Sequence, residues 1–368
     1  MSKKVGILTL QFANNYGGFL QVFALSQMLE KLGFTPVIID RVPTKHLSLS
    51  KRIKIFLTSS IHSYLNTSFS DFKKKYIHNR TQVIRTHDEI LKYKDEFFAV
   101  IVGSDQVWRL AYTKEEGLGF NMFLDFVGEK TLKVSYAASF GTDQFEGSDA
   151  DVTRVKELLK TFSAVSVRED SAVDICSTVF NIEAQHVLDP TLLLKGSDYV
   201  KLFKLPEQLA DSPFLAYYLL DFDSNKIGFI NTLSKTLQLE KVNIYRESEK
   251  VFNLSSDFIP TSKFRYPSFY HWLSSIYNSQ FVVADSFHGV VFSIIFNKQF
   301  ICIANRKRGV ARMESLLRKF GLLDRLLFEG EEFNGKEIDY QAVNAILESE
   351  RYKSMKFLQE ALLFRLDD

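Results

Sequence analysis

The sequence has only two cysteines in 368 residues, Cys176 and Cys302, both inside apolar stretches. So small a supply excludes a disulfide scaffold and fits free thiols in a reducing compartment. No Cys/His spacing matches a zinc site, so no metal is expected. A surplus of one charge is also missing: 46 Lys and Arg stand against 44 Asp and Glu, a formal net charge of +2. No global field therefore calls for nucleic acid, and any anion site must be local. Long apolar runs are lacking as well. "FLAYYLL" and "VVFSIIF" are far too short for a membrane span. "MSKKVGILTLQF" is broken by Thr9 and Gln11, which reads as a first strand rather than a signal peptide. The expectation is a soluble cytoplasmic protein, with peripheral association at the inner membrane face as the remaining membrane option.

What is present is a globular profile, 46% hydrophobic and 24% charged, on a chain long enough for two domains. "KVGILTL", the helical pattern "FLQVFALSQMLEKLG" and "TPVIID" form a strand–helix–strand unit of parallel-crossover length. Residues 44–96 interrupt the rhythm with basic, aromatic segments such as "DFKKKYIHNR", read as a helical insertion whose charges form a solvated face or meet acidic glycan or lipid. The rhythm resumes at "FFAVIVGSD", "KVSYAASFG", "AVSVRED" and "AQHVLDP". Residues 196–212 read as a linker, and a second βα series occupies 213–330, from "FLAYYLLD" to "FICIAN" and beyond. The tail from 331 to 368 is an amphipathic helix expected to pack back on the first domain, residues 1–195. The fold class is α/β, two Rossmann-like doubly wound domains facing a cleft.

In such sheets ligands bind beyond the carboxyl ends of strands. Ser104, Asp105, Arg168, Glu169 and Asp189 fall at such ends. Asn15, Tyr16, Gly17 and Gly18 open a helix after the first strand, where free backbone N–H groups and close backbone approach suit an anion. The spacing is neither GxGxxG nor GxxxxGK[ST], which disfavours a dinucleotide site or a P-loop. Ser104, Asp105, Gln106 and Trp108 offer hydroxyl partners and an aromatic face to a sugar, unless Asp105 is merely a helix cap. Arg168 could clamp a carboxylate or phosphate or pair with a neighbour, and Asp170 is placed as a helix N-cap. His288 in "ADSFHG" follows a strand and precedes a helix, with Asp285 three residues earlier to orient it. The next loop, "NRKRGVAR", brings Arg306, Lys307, Arg308 and Arg312. An acid/base beside guanidinium groups fits chemistry on an anionic substrate.

Taken in order, "NYGGFLQVFAL", "VIVGSDQVW", "SYAASFG", "SVREDSA", "VLDPTLLL" and "ADSFHGVVFSIIFNKQF" with "RKRG" resemble the polysaccharide pyruvyl transferase family over most of the chain. The resemblance implies a GT-B-type fold with the active site in the interdomain cleft. It implies transfer of the pyruvyl group of phosphoenolpyruvate onto two hydroxyls of a glycan or lipid-linked saccharide, giving a cyclic ketal and phosphate, with no further cofactor. It makes His288 the acid/base, with Asp105 or Asp285 as helper, and Arg168 with Lys307 or Arg308 the donor-binding cations. Many members carry Arg-Leu-His where this chain has Ser286-Phe287-His288. The alternatives are a glycosyltransferase of the same fold that uses a nucleotide sugar, and a non-catalytic glycan-binding member.

Overall fold

The structure, a computed structural model, describes residues 2–10, 15–42, 66–115, 117–210, 212–245, 266–305 and 309–363. The strands are β1 (Lys4–Leu8), β2 (Thr35–Ile38), β3 (Ala99–Gly103), β4 (Leu132–Ala138), β5 (Ala164–Val167), β6 (Gln185–His186), β7 (Phe214–Tyr218), β8 (Glu240–Asn243), β9 (Phe281–Ala284), β10 (Gln299–Ile303) and β11 (Leu326–Leu327). The helices are α1 (Tyr16–Lys31), α2 (Thr67–Tyr76), α3 (His87–Leu91), α4 (Leu110–Glu115), α5 (Asp149–Leu159), α6 (Asp170–Thr178) and α7 (Pro190–Leu193). They continue with α8 (Gly196–Phe203), α9 (Ser224–Leu237), α10 (Phe269–Asn278), α11 (Phe287–Ile295), α12 (Ala311–Lys319) and α13 (Tyr340–Leu363).

Two parallel sheets result, in the orders β2-β1-β3-β4-β5-β6 and β11-β10-β9-β7-β8. Strands β3 and β4 are buried at every residue. A parallel strand covered on both faces calls for a near-continuous apolar run, as in β3, while β4 buries Lys133 and Ser135 among its apolar residues. Each order reverses once, so a crevice opens between the ends of β1 and β3 in one sheet and of β7 and β9 in the other. These are two doubly wound, Rossmann-like units of the GT-B type.

The largest cluster of buried apolar side chains runs without a break from Val5 and Ile7 in β1 to Val282 in β9 and Phe300 in β10. Part of that seam comes from the basic insertion. On α2, Phe72 stacks on Phe269 of α10 with ring centroids 3.9 Å apart, and Ser68 Oγ donates to the Tyr266 carbonyl. Its cations are not all solvated, because Lys73 and Arg80 both reach Asp40, at 3.0 and 3.1 Å. Residues 44–65 of the insertion lie outside the described residues. The segment read as a linker holds α8, whose Tyr199 is fully buried and donates to the Thr191 carbonyl. Along α13, Arg351 donates to the carbonyls of Leu192 and Leu194, and Ser354 Oγ accepts from Leu188 N.

Candidate active site

The two crevices open onto one another. A cavity of about 240 Å³ is lined by Leu10 beyond β1, Asp105 and Gln106 beyond β3, Leu220 beyond β7 and Asp285, Ser286 and His288 beyond β9. Two helix N-termini also meet there. Asn15 caps α1 by accepting from Gly17 N at 3.1 Å, and Ser286 caps α11 by accepting from Gly289 N at 3.5 Å. Both caps line the cavity. The positive ends of two helix dipoles, one from each sheet, therefore face the same space. Arg312 of α12 lines it too and is buried. Burial, and then the neighbouring Arg168, lower its guanidinium to about 10. Gly309 shuts one side of the cleft. Its φ is +88°, and a Cβ there would lie 2.0 Å from the Gly141 carbonyl oxygen, so only glycine permits this approach between the two halves.

His288 sits in the first turn of α11 and is 4% exposed. Its ring lies against the backbone of Gly17: a Cβ on that glycine would come 1.8 Å from Nδ1. On the other nitrogen, Nε2 is 3.6 Å from Asp189 Oδ2, an ion-pair distance outside hydrogen-bond reach. Asp189 is held from all sides. Its Oδ2 accepts from Ser104 Oγ at 2.7 Å and Arg168 Nη1 at 2.9 Å, and its Oδ1 accepts from the Thr191 N–H and hydroxyl. Burial pushes this carboxyl up, but His288 and Arg168 outweigh it and hold the group well below the usual carboxylate range. The imidazole is thus held between the Gly17 backbone on one side and the Asp189 carboxylate on the other.

Several placements differ from the sequence reading. Asp285 lines the cavity, but its carboxylate accepts from Leu220 N, Asp221 N and Lys226 Nζ, so it ties down the loop after β7. The carboxylate that faces His288 is Asp189, seen in the sequence only as a strand-end residue. Trp108 is not a sugar platform: it is fully buried, stacks on Phe123 and donates Nε1–H to the Met122 carbonyl. Tyr16 is likewise core, stacked on Trp272 and bonded through its hydroxyl to the Pro267 carbonyl. An apolar body with one polar tip can be satisfied inside as well as at a ligand, and here both tips find carbonyls. Asp170 is the first residue of α6, and Glu169 occupies the cap position without a side-chain cap bond.

Arg168 stands behind the cavity wall, its side chain 2% exposed. Beyond the Asp189 bond, its Nη2 lies 3.8 Å from Asp105 and its Nε 4.0 Å from Glu169, and the guanidinium covers the Phe287 ring at 4.3 Å. Its partner is therefore a carboxylate of the protein. Ser104 is fully buried and serves Asp189. Asp105 lines the cavity in a left-handed conformation, φ +69°, which an aspartate tolerates better than most residues. Asn15, Gly18, Gln106 and Ser286 line the cavity, and Gly17 backs the His288 ring. Arg306, Lys307 and Arg308 lie outside the described residues. Arg312, which the sequence reading placed in the same basic segment but not among the donor-binding residues, lines the cavity, as does Ser286, where the resemblance leads one to expect an arginine. Among the described residues no group of three or more His, Cys, Asp or Glu could hold a metal ion, and no helix is long and apolar enough to cross a membrane.

Two parallel doubly wound sheets with a polar cavity at their facing switch points define a two-domain, GT-B-type α/β protein. The fold is shared with UDP-N-acetylglucosamine 2-epimerase from Rickettsia bellii, at 11% identity and a TM-score of 0.51, over 100% of this chain and 98% of that one. The UDP-GlcNAc 2-epimerase from Methanocaldococcus jannaschii aligns at 12% identity and a TM-score of 0.48, over 94% of this chain and 92% of its own. No curated protein is significantly similar in sequence. The chain belongs to the polysaccharide pyruvyl transferase family, whose model matches residues 15–307.

Proposed function

We propose that the protein transfers the pyruvyl group of phosphoenolpyruvate to two hydroxyls of a glycan sugar in cell-surface polysaccharide synthesis. The observation that carries this reading is the meeting of two helix N-termini, Arg312 and His288 around one small cavity. Phosphoenolpyruvate bears a carboxylate and a phosphate, and this arrangement supplies backbone N–H groups and a guanidinium for them. By the family resemblance, Lys307 and Arg308 are further cations for the donor. The volume, about 240 Å³, suits a small dianion. Pockets for larger, drug-sized ligands run to roughly 300–1,000 Å³.

The chemistry needs one proton moved onto carbon. His288, beside Asp189, delivers a proton to the methylene carbon, and positive charge develops at the adjacent carbon. A sugar oxygen adds there and gives its proton to the now neutral imidazole. The bond from that carbon to the phosphate oxygen breaks, and the second hydroxyl adds to close the ketal. Of the two protons released by the hydroxyls, one replaces that delivered to the new methyl group and the other leaves with phosphate. Arg312 and the helix N-termini hold the departing charge. In this reading Asp105, which also lines the cavity, accepts the second hydroxyl proton and passes it to the departing phosphate.

The test is incubation with phosphoenolpyruvate and nitrophenyl or lipid-linked glycosides. Phosphate release should accompany a mass gain on the sugar, and His288→Ala should abolish both. Thermal stabilisation by a UDP- or GDP-sugar, with none by phosphoenolpyruvate, would overturn the reading in favour of a glycosyltransferase.

A further inference from the structure

Lys226 breaks a local rule. It is the third residue of α9, and no acid stands in that helix's first turn. A cation there lies at the positive end of the helix dipole, where carboxylates are favoured. The close partners of its ammonium group lie outside the helix. Nζ donates to the Asp221 carbonyl at 2.7 Å and to Asp285 Oδ2 at 2.8 Å, and stands 3.8 Å from the capping Asp223. Asp285 is the last residue before the cap of α11: Ser286 follows it, and His288 comes three positions on. Its side chain is fully buried and belongs to the wall of the cavity beside His288. Leu220 N at 2.6 Å, Asp221 N at 3.2 Å and Asn305 Nδ2 at 3.4 Å also converge on this carboxylate. Those donors are neutral. Among the described residues the cation in ion-pair reach of Asp285 is Lys226, which does not itself line that cavity.

We propose that Lys226 is a positioning residue that acts through Asp285: it cancels the charge of that carboxylate, so that the cavity beside His288 can hold an anion. The cancellation stands on the contacts above; that the anion is phosphoenolpyruvate rests on the transferase reading. A buried carboxylate is poorly screened, and it repels a second anion close by unless a cation is fixed against it. Neutral N–H donors satisfy its lone pairs but leave its net charge in place. An ammonium group at 2.8 Å brings the pair to zero. The positive ends of α1 and α11 and the Arg312 guanidinium then face the ligand without opposition from Asp285. The same contact also fixes shape. Lys226 bridges Asp285 to the Asp221 carbonyl, which keeps the loop after β7, and with it Leu220, against the turn that carries Ser286 and His288. Charge and shape part company once Asp285 is neutralised as well, because that restores the charge balance but not the bridge.

The experiment measures the affinity of the full chain for phosphoenolpyruvate and for inorganic phosphate, by calorimetry and thermal stabilisation. Lys226→Met leaves the buried carboxylate without its cation and should weaken the binding of either anion by about tenfold or more. Lys226→Arg, which keeps the charge, should lose far less. Adding Asp285→Asn to Lys226→Met should bring the affinity back to about the wild-type level, whereas a purely structural staple would leave the double variant as weak as Lys226→Met. Asp285→Asn alone should bind phosphate at least as tightly as the wild type, which keeps the test decisive if Lys226→Met does not fold. The proposal is overturned if Lys226→Met binds anions as the wild type does, if the double variant recovers nothing, or if Asp285→Asn alone binds phosphate more weakly. Phosphate binding of the expected pattern without a phosphoenolpyruvate response would remove the transferase reading and leave the role of Lys226 standing. A phosphoenolpyruvate response that ignores Lys226→Met would do the reverse, and a wild-type chain that responds to neither anion would remove both.

Discussion

Replacing Gly17 with alanine probes the candidate site at its tightest contact. The new Cβ would fall 1.8 Å from His288 Nδ1, 2.0 Å from Cγ and 2.5 Å from Cε1. Real Cβ contacts essentially never come under 3.0 Å, so the ring or the helix must give by at least 3.0 − 1.8 = 1.2 Å. Overpacking of this kind costs about 1–3 kcal/mol. A misplacement of about 1 Å in a reacting group costs roughly 10²-fold in rate. Gly17→Ala should therefore lose about two orders of magnitude in phosphoenolpyruvate-dependent phosphate release and be less stable to denaturant. The decisive comparison is the same substitution in a His288→Ala background. With the ring gone its three closest contacts to the new Cβ are gone. The cost of Gly17→Ala in stability should thus shrink sharply in that background, and it should cost no further activity. If Gly17→Ala keeps nearly full activity, or destabilises both backgrounds equally, His288 does not stand where the reasoning requires it.

The buried charge pair is open to a similar cycle. Asp189→Asn removes the charge that faces Arg168 at 2.9 Å and should cost about 3–5 kcal/mol, read from the denaturant midpoint. In an Arg168→Gln background the same change should cost far less, and equal costs in both would show that the two charges are not coupled. His186 sets a pH dependence. Burial first, and Lys319 next, lower its pKa from 6.5 to about 4. Between these values the unfolded chain takes up a proton that the folded chain refuses, so stability is full above the unfolded value and is lost as pH falls toward the folded one. The span is worth roughly 3 kcal/mol. His186→Gln, whose amide can keep a donor near the Nε2 position for the Arg168 carbonyl, should flatten stability over this range; an unchanged slope would assign the effect to another group.

The sequence by itself determined the alternation of strand and helix, the two-unit organisation and the position of His288 after a strand. Each is a local matter: apolar runs, helical spacing and turn residues act over a few positions, and the sequence carries them whole. Family membership was legible for the same reason, as an ordered series of short motifs at strand ends. Which side chains meet was another matter. Asp189 and Gly17 reach His288 only because the switch points of two sheets face each other, and sheet order is not written in any local segment. Trp108 and Tyr16 show the converse. Their neighbours in sequence lie at the site, but which way a ring points is set by the packing available, and the core bound both more fully than a ligand site could. Asp285 and Asp189 look alike in sequence, each a carboxylate at a strand end. Tertiary structure alone gave one to the loop after β7 and the other to Ser104, Arg168 and Thr191 beside the imidazole, because a buried carboxylate goes to the donors that surround it.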